Sequence, residues 1–499
     1  MITRSLKIKI WDKEIGILSW DERRSIGYFE YDKQFLKGDW DIFPIIASIH
    51  SPASRRPIIG EKEPLIYRHL PPFLADSLPD AWGNQVFECW RIENNIQDKE
   101  ITPLDVLSFI GKRGMGALEF EPETSNIKKT ESLNLQSLID LAERIFVERE
   151  KMKVQPNESL TLRSLMSVGT SAGGRQPKAI IAIHPTTGEI RSGQIAGQEG
   201  FEYYILKFGD AERTTAEVEM AYYEMAVNAG IQMMPCRLMD IEGKRHFLTK
   251  RFDRQGEKKL HLQTLAALYP EADSYEKLMM VCRKLRLSES AQKEIFRRMV
   301  FNILANNTDD HNKNFSFLMD EEGRWSLSPA YDQTFIFDSR GFLPDTTHCL
   351  LIRGKFSNHT KEDALAIAKE NGIPNADDII QEVGSALSQF SEIARKYNVK
   401  QSVADTIAST IKAHLDAWGL DLINTPNLTF DIEDVHYSNV HIETTYKGNF
   451  HLLANRNGEE RKFVIGKNKP EFSLIAELGV DGLSEDQMKA IVRKYLHQK

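Results

Sequence analysis

The chain has 499 residues with 64 Lys+Arg against 72 Asp+Glu, a formal net charge of −8, and 41% hydrophobic and 27% charged residues. That composition belongs to ordinary globular chains of about three domain-sized units, and its mild acidity argues against a protein that coats nucleic acid by itself. No apolar run reaches the roughly 18 residues of a membrane span, and Met1 to Lys7 reads straight into a strand rather than a signal-peptide core, so a cytoplasmic chain is expected. The four cysteines (Cys89, Cys236, Cys282, Cys349) are scattered, with no metal spacing, and read as buried thiols of a reducing compartment.

Residues 1–124 read as a strand-rich module. Leu6 to Ile10 alternates at period two, and Gly16 to Leu18 and Ile26 to Phe29 continue in short strands. Leu70 to Leu74 and Ser77-Leu78-Pro79-Asp80 are turn-rich, and Trp82 to Arg91 is helix-like. Gly111 to Gly116 is glycine-rich, but without a strand-then-helix context it reads as a tight turn rather than a phosphate loop. A polar linker, Glu121 to Glu131, follows.

Residues 132–255 form the next unit. Leu138, Leu141 and Ile145 mark an amphipathic helix, strands dominate from Ala179 to Lys250, and Ala216 to Ala229 is a helix stopped by Gly230. Residues 256–424 are mostly helical, and Ile380, Val383, Leu387, Phe390 and Ala394 form one apolar stripe. Strands with one helix, then helices, give an α+β fold in two lobes. Residues 425–499 change character again. β-rich runs, a turn at Asn455 to Gly458 and a short helix near Glu485 to Tyr495 read as a small appended α/β module of unassigned role.

The densest polar constellation follows an apolar helix, Ile295 to Ala305, and runs from Asn306 through Asp309, Asp310, His311, Lys313 and Asn314. Such a loop is costly to order unless its groups bind something, although an Asx-rich helix stop before a hairpin is the plain alternative. Asp332 follows a second short strand. The arrangement fits phosphoryl transfer, with one Asp accepting the hydroxyl proton, an Asn five residues later and a second Asp holding Mg²⁺, and Lys313 offsetting phosphoryl charge. Upstream, Lys207 is the single Lys on an apolar strand and needs a Glu from the next helix. Glu217, Glu219 and Glu224 all lie there, and pattern alone does not choose. Ser167 to Lys178 is a Gly/Ser/Thr-rich loop of the kind that approaches phosphates. Phe247 to Arg254 passes between the lobes, where a kinase hinge would sit.

In this order the segments resemble the HipA family of bacterial serine/threonine kinases, the toxins of HipBA-type toxin–antitoxin systems. Asn307 to Ser316 fits the family pattern N-x-D-x-H-x-K-N-F-S, Pro329-Ala330-Tyr331-Asp332 its P-x-Y-D, and Arg251-Phe252-Asp253-Arg254 its R-F-D-R. Glu219 falls on the family's helix Glu, and Ser77 to Asp80 and Gly114 to Leu118 resemble motifs of its N-terminal module. The resemblance implies a two-lobed, kinase-like fold using ATP and Mg²⁺. Asp309 would be the catalytic base with Lys313 beside it, Asn314 and Asp332 the metal ligands, and Lys207 the phosphate-binding lysine oriented by Glu219. Gly173, Gly174 and Arg175 would cradle phosphates, the backbone at Lys250 and Phe252 would hold adenine, and His311 would hydrogen-bond within the loop around the nucleotide. Ser171 aligns with the family's autophosphorylated serine, with Thr170 and Ser167 as neighbouring candidates. The implied substrate is a protein hydroxyl, in the characterised branch that of an aminoacyl-tRNA synthetase. The implied partner is a HipB-like helix-turn-helix antitoxin, through which the chain would reach DNA indirectly. A catalytically silent scaffold on an antitoxin–DNA complex and a small-molecule kinase are the alternative readings. Ser171 to Lys178 departs from the family's S-x-x-G-A-Q-x-K form.

Overall fold

The computed structural model describes residues 3–60, 65–93, 96, 101–124, 133–148, 165, 176–194, 196–341 and 343–420, together with backbone strands between 428 and 467. Two compact units result, Met1–Leu420 and Asp421–Lys499.

The first unit begins with β1 (Ser5–Ile10), β2 (Lys13–Asp21), β3 (Ile26–Tyr31), β4 (Ile58–Ile59) and β5 (Leu118–Glu121), an antiparallel sheet in the order β4-β3-β2-β1-β5. Alternation places Leu6, Ile8 and Ile10 on the buried face, where they meet Leu18, Phe29 and Phe120. Helices contribute as much as strands here. The Leu70 to Leu74 stretch, expected as turn, carries α1 (Pro72–Ala75), because proline is well suited to the first helical position. α2 (Ala81–Glu93) and α3 (Pro103–Ile110) follow, the latter closed by a capping box between Thr102 and Asp105. The glycine-rich turn after α3 packs against the segment that runs from Asp253 to Leu262. Gly116, at φ +74°, donates its N–H to Asp253 at 2.8 Å, and a Cβ there would meet the Leu262 nitrogen at 2.9 Å.

After α4 (Leu135–Glu148), a second antiparallel sheet is built from β6 (Lys178–Ile183), β7 (Ile190–Ser192), β8 (Glu202–Lys207), β9 (Cys236–Ile241) and β10 (Lys244–Lys250), in the order β7-β6-β8-β10-β9. α5 (Thr215–Asn228) packs against it. One hydrophobic cluster runs from Leu6 through Ile181 and Leu206 to Met319, so the first sheet and the second share a core.

Beyond the short β11 (Arg254–Gln255) and β12 (Lys258–Lys259), β13 (His261–Thr264) pairs with β14 (Ser316–Met319), and β14 with β15 (Trp325–Leu327). The helices are α6 (Leu265–Leu268), α7 (Tyr275–Lys284), α8 (Glu289–Leu304), α9 (Lys361–Glu370), α10 (Ala376–Ser388), α11 (Phe390–Tyr397) and α12 (Gln401–Ala417). The Ile380 to Ala394 stripe is buried throughout but crosses two consecutive helices, α10 and α11. Cys89 and Cys282 are buried free thiols as expected. Cys236 is half-buried and Cys349 is exposed, because Cys349 lies on an irregular segment and not on a core face.

The second unit shows four antiparallel strands, β16 (Leu428–Ile432), β17 (Val435–Thr444), β18 (Asn449–Arg456) and β19 (Glu459–Lys467), in sequential order. The helix expected near Glu485 to Tyr495 lies outside the described residues.

A buried ionic cluster ties the first sheet to the lobe junction. Asp253 accepts from Arg251 at 2.8 and 2.7 Å and from Arg254 at 2.6 Å, while Arg254 also donates to the Gly114 carbonyl at 3.0 Å. Burial alone would raise the Asp253 carboxyl, but the two guanidiniums hold it well below the usual carboxylate range. Its contribution is therefore full above the unfolded-state carboxylate value of about 3.9 and fades only as pH falls below that. Asp253→Ala would leave two buried guanidiniums without their counter-ion and is expected to destabilise the first unit by about 3–5 kcal/mol, read from chemical denaturation at neutral pH. A loss under about 1 kcal/mol would contradict this account.

Candidate functional site

Lys207 ends β8, the central strand of the second sheet, directly opposite Lys178 of β6 on one side and Phe247 of β10 on the other. Of the three glutamates on α5 that pattern could not separate, Glu219 reaches it, with Oε2 2.5 Å from Nζ. Glu217 turns towards Arg245 at 3.8 Å, and Glu224 binds Lys396 at 2.7 Å on the outer surface. Lys207 also pairs with Asp332, whose backbone sits in the left-handed region at φ +59°.

The ammonium is thus shared by two carboxylates. Burial opposes its charge, but Asp332 and Glu219 together hold it above the ordinary lysine range. Asp332 is pushed up by burial, yet Lys207 and then Lys178 hold it well below the usual carboxylate range. Glu219 goes the other way, because burial and the neighbouring Asp332 outweigh Lys207. Glu219 is accordingly the more proton-prone of the two acids.

α8 delivers the Asn/Asp loop. Asn306, at φ +56°, donates to the carbonyls of Ile336 and Asp345 at 3.2 and 2.9 Å, and Asn307 donates to Asn302 at 3.0 Å. Asp310 is buried and saturated, accepting from Tyr275 Oη at 2.8 Å and the Cys349 N–H at 2.8 Å, with His348 Nδ1 at 2.9 Å. Asp309 is half-exposed, its Oδ1 3.8 Å from His311 Nε2. Asn314 Nδ2 donates to the Asp309 carbonyl at 2.7 Å, and His311 Nδ1 accepts from the Lys313 N–H at 3.2 Å. Lys313 Nζ lies 2.6 Å from Asp80 Oδ1.

A cavity of about 600 Å³ brings together Lys207, Glu219, Lys250, Phe252, His311, Lys313, Asn314 and Asp332. Asp309 stands on the same loop but outside the lining. Ser167, Thr170, Ser171, Gly173, Gly174 and Arg175 lie outside the described residues. At the lobe junction the Lys250 N–H donates to the Pro235 carbonyl at 3.0 Å and the Arg251 N–H to Tyr203 at 2.8 Å. Pro235 has no N–H to return to the Lys250 carbonyl, so the strand exchange is one-sided at the cavity edge.

Three contributors were not singled out from sequence. Lys178 is buried in the cavity wall, and burial lowers its pKa. Only the β6–β8 register reveals that it faces Lys207. Asp76 and Asp80 come from the N-terminal residues, and Asp76 accepts both the N–H and the hydroxyl of Thr264 at 2.8 and 2.7 Å. No local signal marks a contact across nearly two hundred residues.

Replacing Lys207 with Met would leave Glu219 and Asp332 facing each other without their cation. Glu219 already sits above its unfolded-state value, so its stability contribution falls as pH rises towards its folded pKa. Lys207→Met is therefore expected to cost more at pH 7.5 than at pH 5, by about 1 kcal/mol or more in paired denaturation curves. Equal losses at both pH values would contradict the shared-cation arrangement.

The model of the HipA N-terminal domain matches residues 6–121, and that of the HipA-like C-terminal domain matches residues 170–418. A Haemophilus influenzae protein named "Putative kinase" is 26% identical over 196 residues, 35% of this chain and 55% of its own length. A Sinorhizobium fredii protein, "Putative kinase Y4dM", is 31% identical over 135 residues, 23% of this chain and 33% of its own. The chain thus spans about half and a third of the lengths of these two relatives. Among solved structures, HipA of Shewanella oneidensis MR-1, determined with HipB and its operator DNA, superposes with a TM-score of 0.59 at 16% identity, covering 83% of this chain and 97% of that one. Two family domains in their proper order, and a fold shared along nearly the whole of a HipA chain, make this protein a member of the HipA family with the HipA kinase-like α+β fold.

Proposed function

We propose that this chain is an ATP- and Mg²⁺-dependent protein serine/threonine kinase that acts as the toxin of a toxin–antitoxin pair. The observation that carries the reading is the Lys207–Glu219 ion pair facing Asp332 across one cavity. A strand lysine oriented by a helix glutamate, opposite a depressed carboxylate, is what a nucleotide phosphate site requires. The cavity volume lies in the range of small-ligand sites.

The donor set fits Mg²⁺. Asp332 offers a carboxylate kept ionised by Lys207 and Lys178, and Asn314 commits its amide nitrogen to the Asp309 carbonyl, which turns its oxygen the other way. Hard oxygen donors of this kind suit a small divalent cation. When bound with the nucleotide, Mg²⁺ would neutralise phosphate charge. The chain's own groups do the rest. Lys207 holds the phosphates while Glu219 fixes the lysine. The Lys250 carbonyl and the Phe252 N–H offer an acceptor and a donor for adenine at the lobe junction, beside the apolar Met233 and Met234. Asp309 takes the proton of the attacking hydroxyl as the phosphoryl group passes to that oxygen and ADP leaves. By resemblance Gly173, Gly174 and Arg175 bind phosphate, and Ser171, Thr170 or Ser167 is an autophosphorylation site.

A protein acceptor, by resemblance an aminoacyl-tRNA synthetase, and a HipB-like antitoxin complete the reading. The second is supported by the fold shared with a HipA that was determined with HipB and operator DNA.

The test is phosphate transfer from labelled ATP to the chain itself and to added aminoacyl-tRNA synthetases. Asp309→Ala should lower transfer by about 10²–10⁴-fold while leaving nucleotide binding intact. Undiminished transfer in that variant would remove Asp309 from its role, and absence of transfer by the unaltered chain would favour a silent scaffold.

A further inference from the structure

We infer that Asp80, contributed by the N-terminal residues and not by either kinase-like lobe, is a positioning residue that aims Lys313 at the terminal phosphate of the nucleotide. The inference rests on the kinase reading above and adds to it a residue that reading did not contain.

Lys313 Nζ and Asp80 Oδ1 are 2.6 Å apart, with side chains only 18% and 24% exposed. Both line the cavity that also holds Lys178, Lys207 and Asp332. Each end of the pair is held from behind. The Lys313 carbonyl accepts from Tyr331 Oη at 2.7 Å, and its N–H donates to His311. On the other side the Asp80 carbonyl accepts from the Asn84 N–H at 2.8 Å, in the first turn of α2. Two residues beyond Asp80, Trp82 donates its indole N–H to the Lys178 carbonyl at 2.9 Å. Four residues earlier, Asp76 grips Thr264, which lies opposite Ser316 in the β13–β14 pair. The segment from Asp76 to Asn84 therefore touches the strand before the Asn/Asp loop, the loop itself and the strand of Lys178.

A lysine head on a four-carbon stem loses much rotamer freedom when it is fixed. An ammonium has three N–H bonds, and one given to Asp80 leaves two for phosphoryl oxygens. Asp80 thus does for Lys313 what Glu219 does for Lys207. A simple docking ion pair between the N-terminal residues and the loop would show the same distance. It would not make nucleotide selectivity depend on Asp80 through Lys313, and that difference is measurable.

The experiment titrates the full chain with the Mg²⁺ complexes of β,γ-imido-ATP and of ADP, using calorimetry. Asp80→Asn should weaken imido-ATP roughly five- to thirtyfold and leave ADP within about twofold. In a Lys313→Met background the same substitution should add nothing beyond about twofold. Asp80→Glu, which keeps the charge, should recover most of the selectivity and serves if Asp80→Asn fails to fold. Equal weakening of both nucleotides, or an undiminished effect of Asp80→Asn when Lys313 is already Met, overturns the inference. Phosphate transfer by the unaltered chain decides the kinase reading separately. Selective binding through Asp80 without transfer would retire that reading alone, and absence of nucleotide binding would retire both.

Discussion

One ammonium between two carboxylates organises this molecule. Lys207 is buried, so its charge survives only because Glu219 and Asp332 both reach it. Each comes from a different part of the chain: the central strand of a sheet, the helix that follows it, and the segment after the β14–β15 hairpin. Burying three charges together is expensive unless the geometry is close to ideal. That cost ties the register of β8 to the placement of α5 and to the left-handed turn at Asp332. Shifting any one of them would strand a charge.

The same principle recurs where the N-terminal residues meet the lobes. Asp253 is shared by Arg251 and Arg254, and Arg254 reaches on to the carbonyls of Gly114 and Gly116. Asp76 and Asp80 grip Thr264 and Lys313. Together with a hydrophobic cluster that extends from Leu6 to Met319, these contacts make the first sheet part of the architecture around the cavity.

Asp309 and Asp310 show how neighbouring carboxylates acquire opposite roles. Asp310 faces inward and is saturated by Tyr275, His348 and the backbone at Cys349 and Leu350. That saturation leaves it to anchor the loop. Asp309 points the other way, half-exposed beside His311. One acid thus anchors the loop, and the other is left half-exposed on it.

Short-range pattern carried much of this to the surface of the sequence. Period-two alternation in Leu6 to Ile10 needs only neighbouring side chains, and so does the stop of the α5 helix at Gly230. The order of Lys207, the α5 glutamates, the Asn/Asp loop and Asp332 along the chain was equally legible, as was the family pattern from Asn307 to Ser316. The choice of Glu219 over Glu217 and Glu224 came from the family pattern, not from periodicity, since all three fit a helix. The tertiary structure alone decided that Lys178 faces Lys207, that Asp310 is sealed while Asp309 is open, and that Asp80 meets Lys313. Those relations depend on strand register, on the rotation of α5 against the sheet and on contacts across more than two hundred residues. Local propensity contains none of these, because a side chain's partner is fixed by distance in space, and distance in space is set only when the core closes.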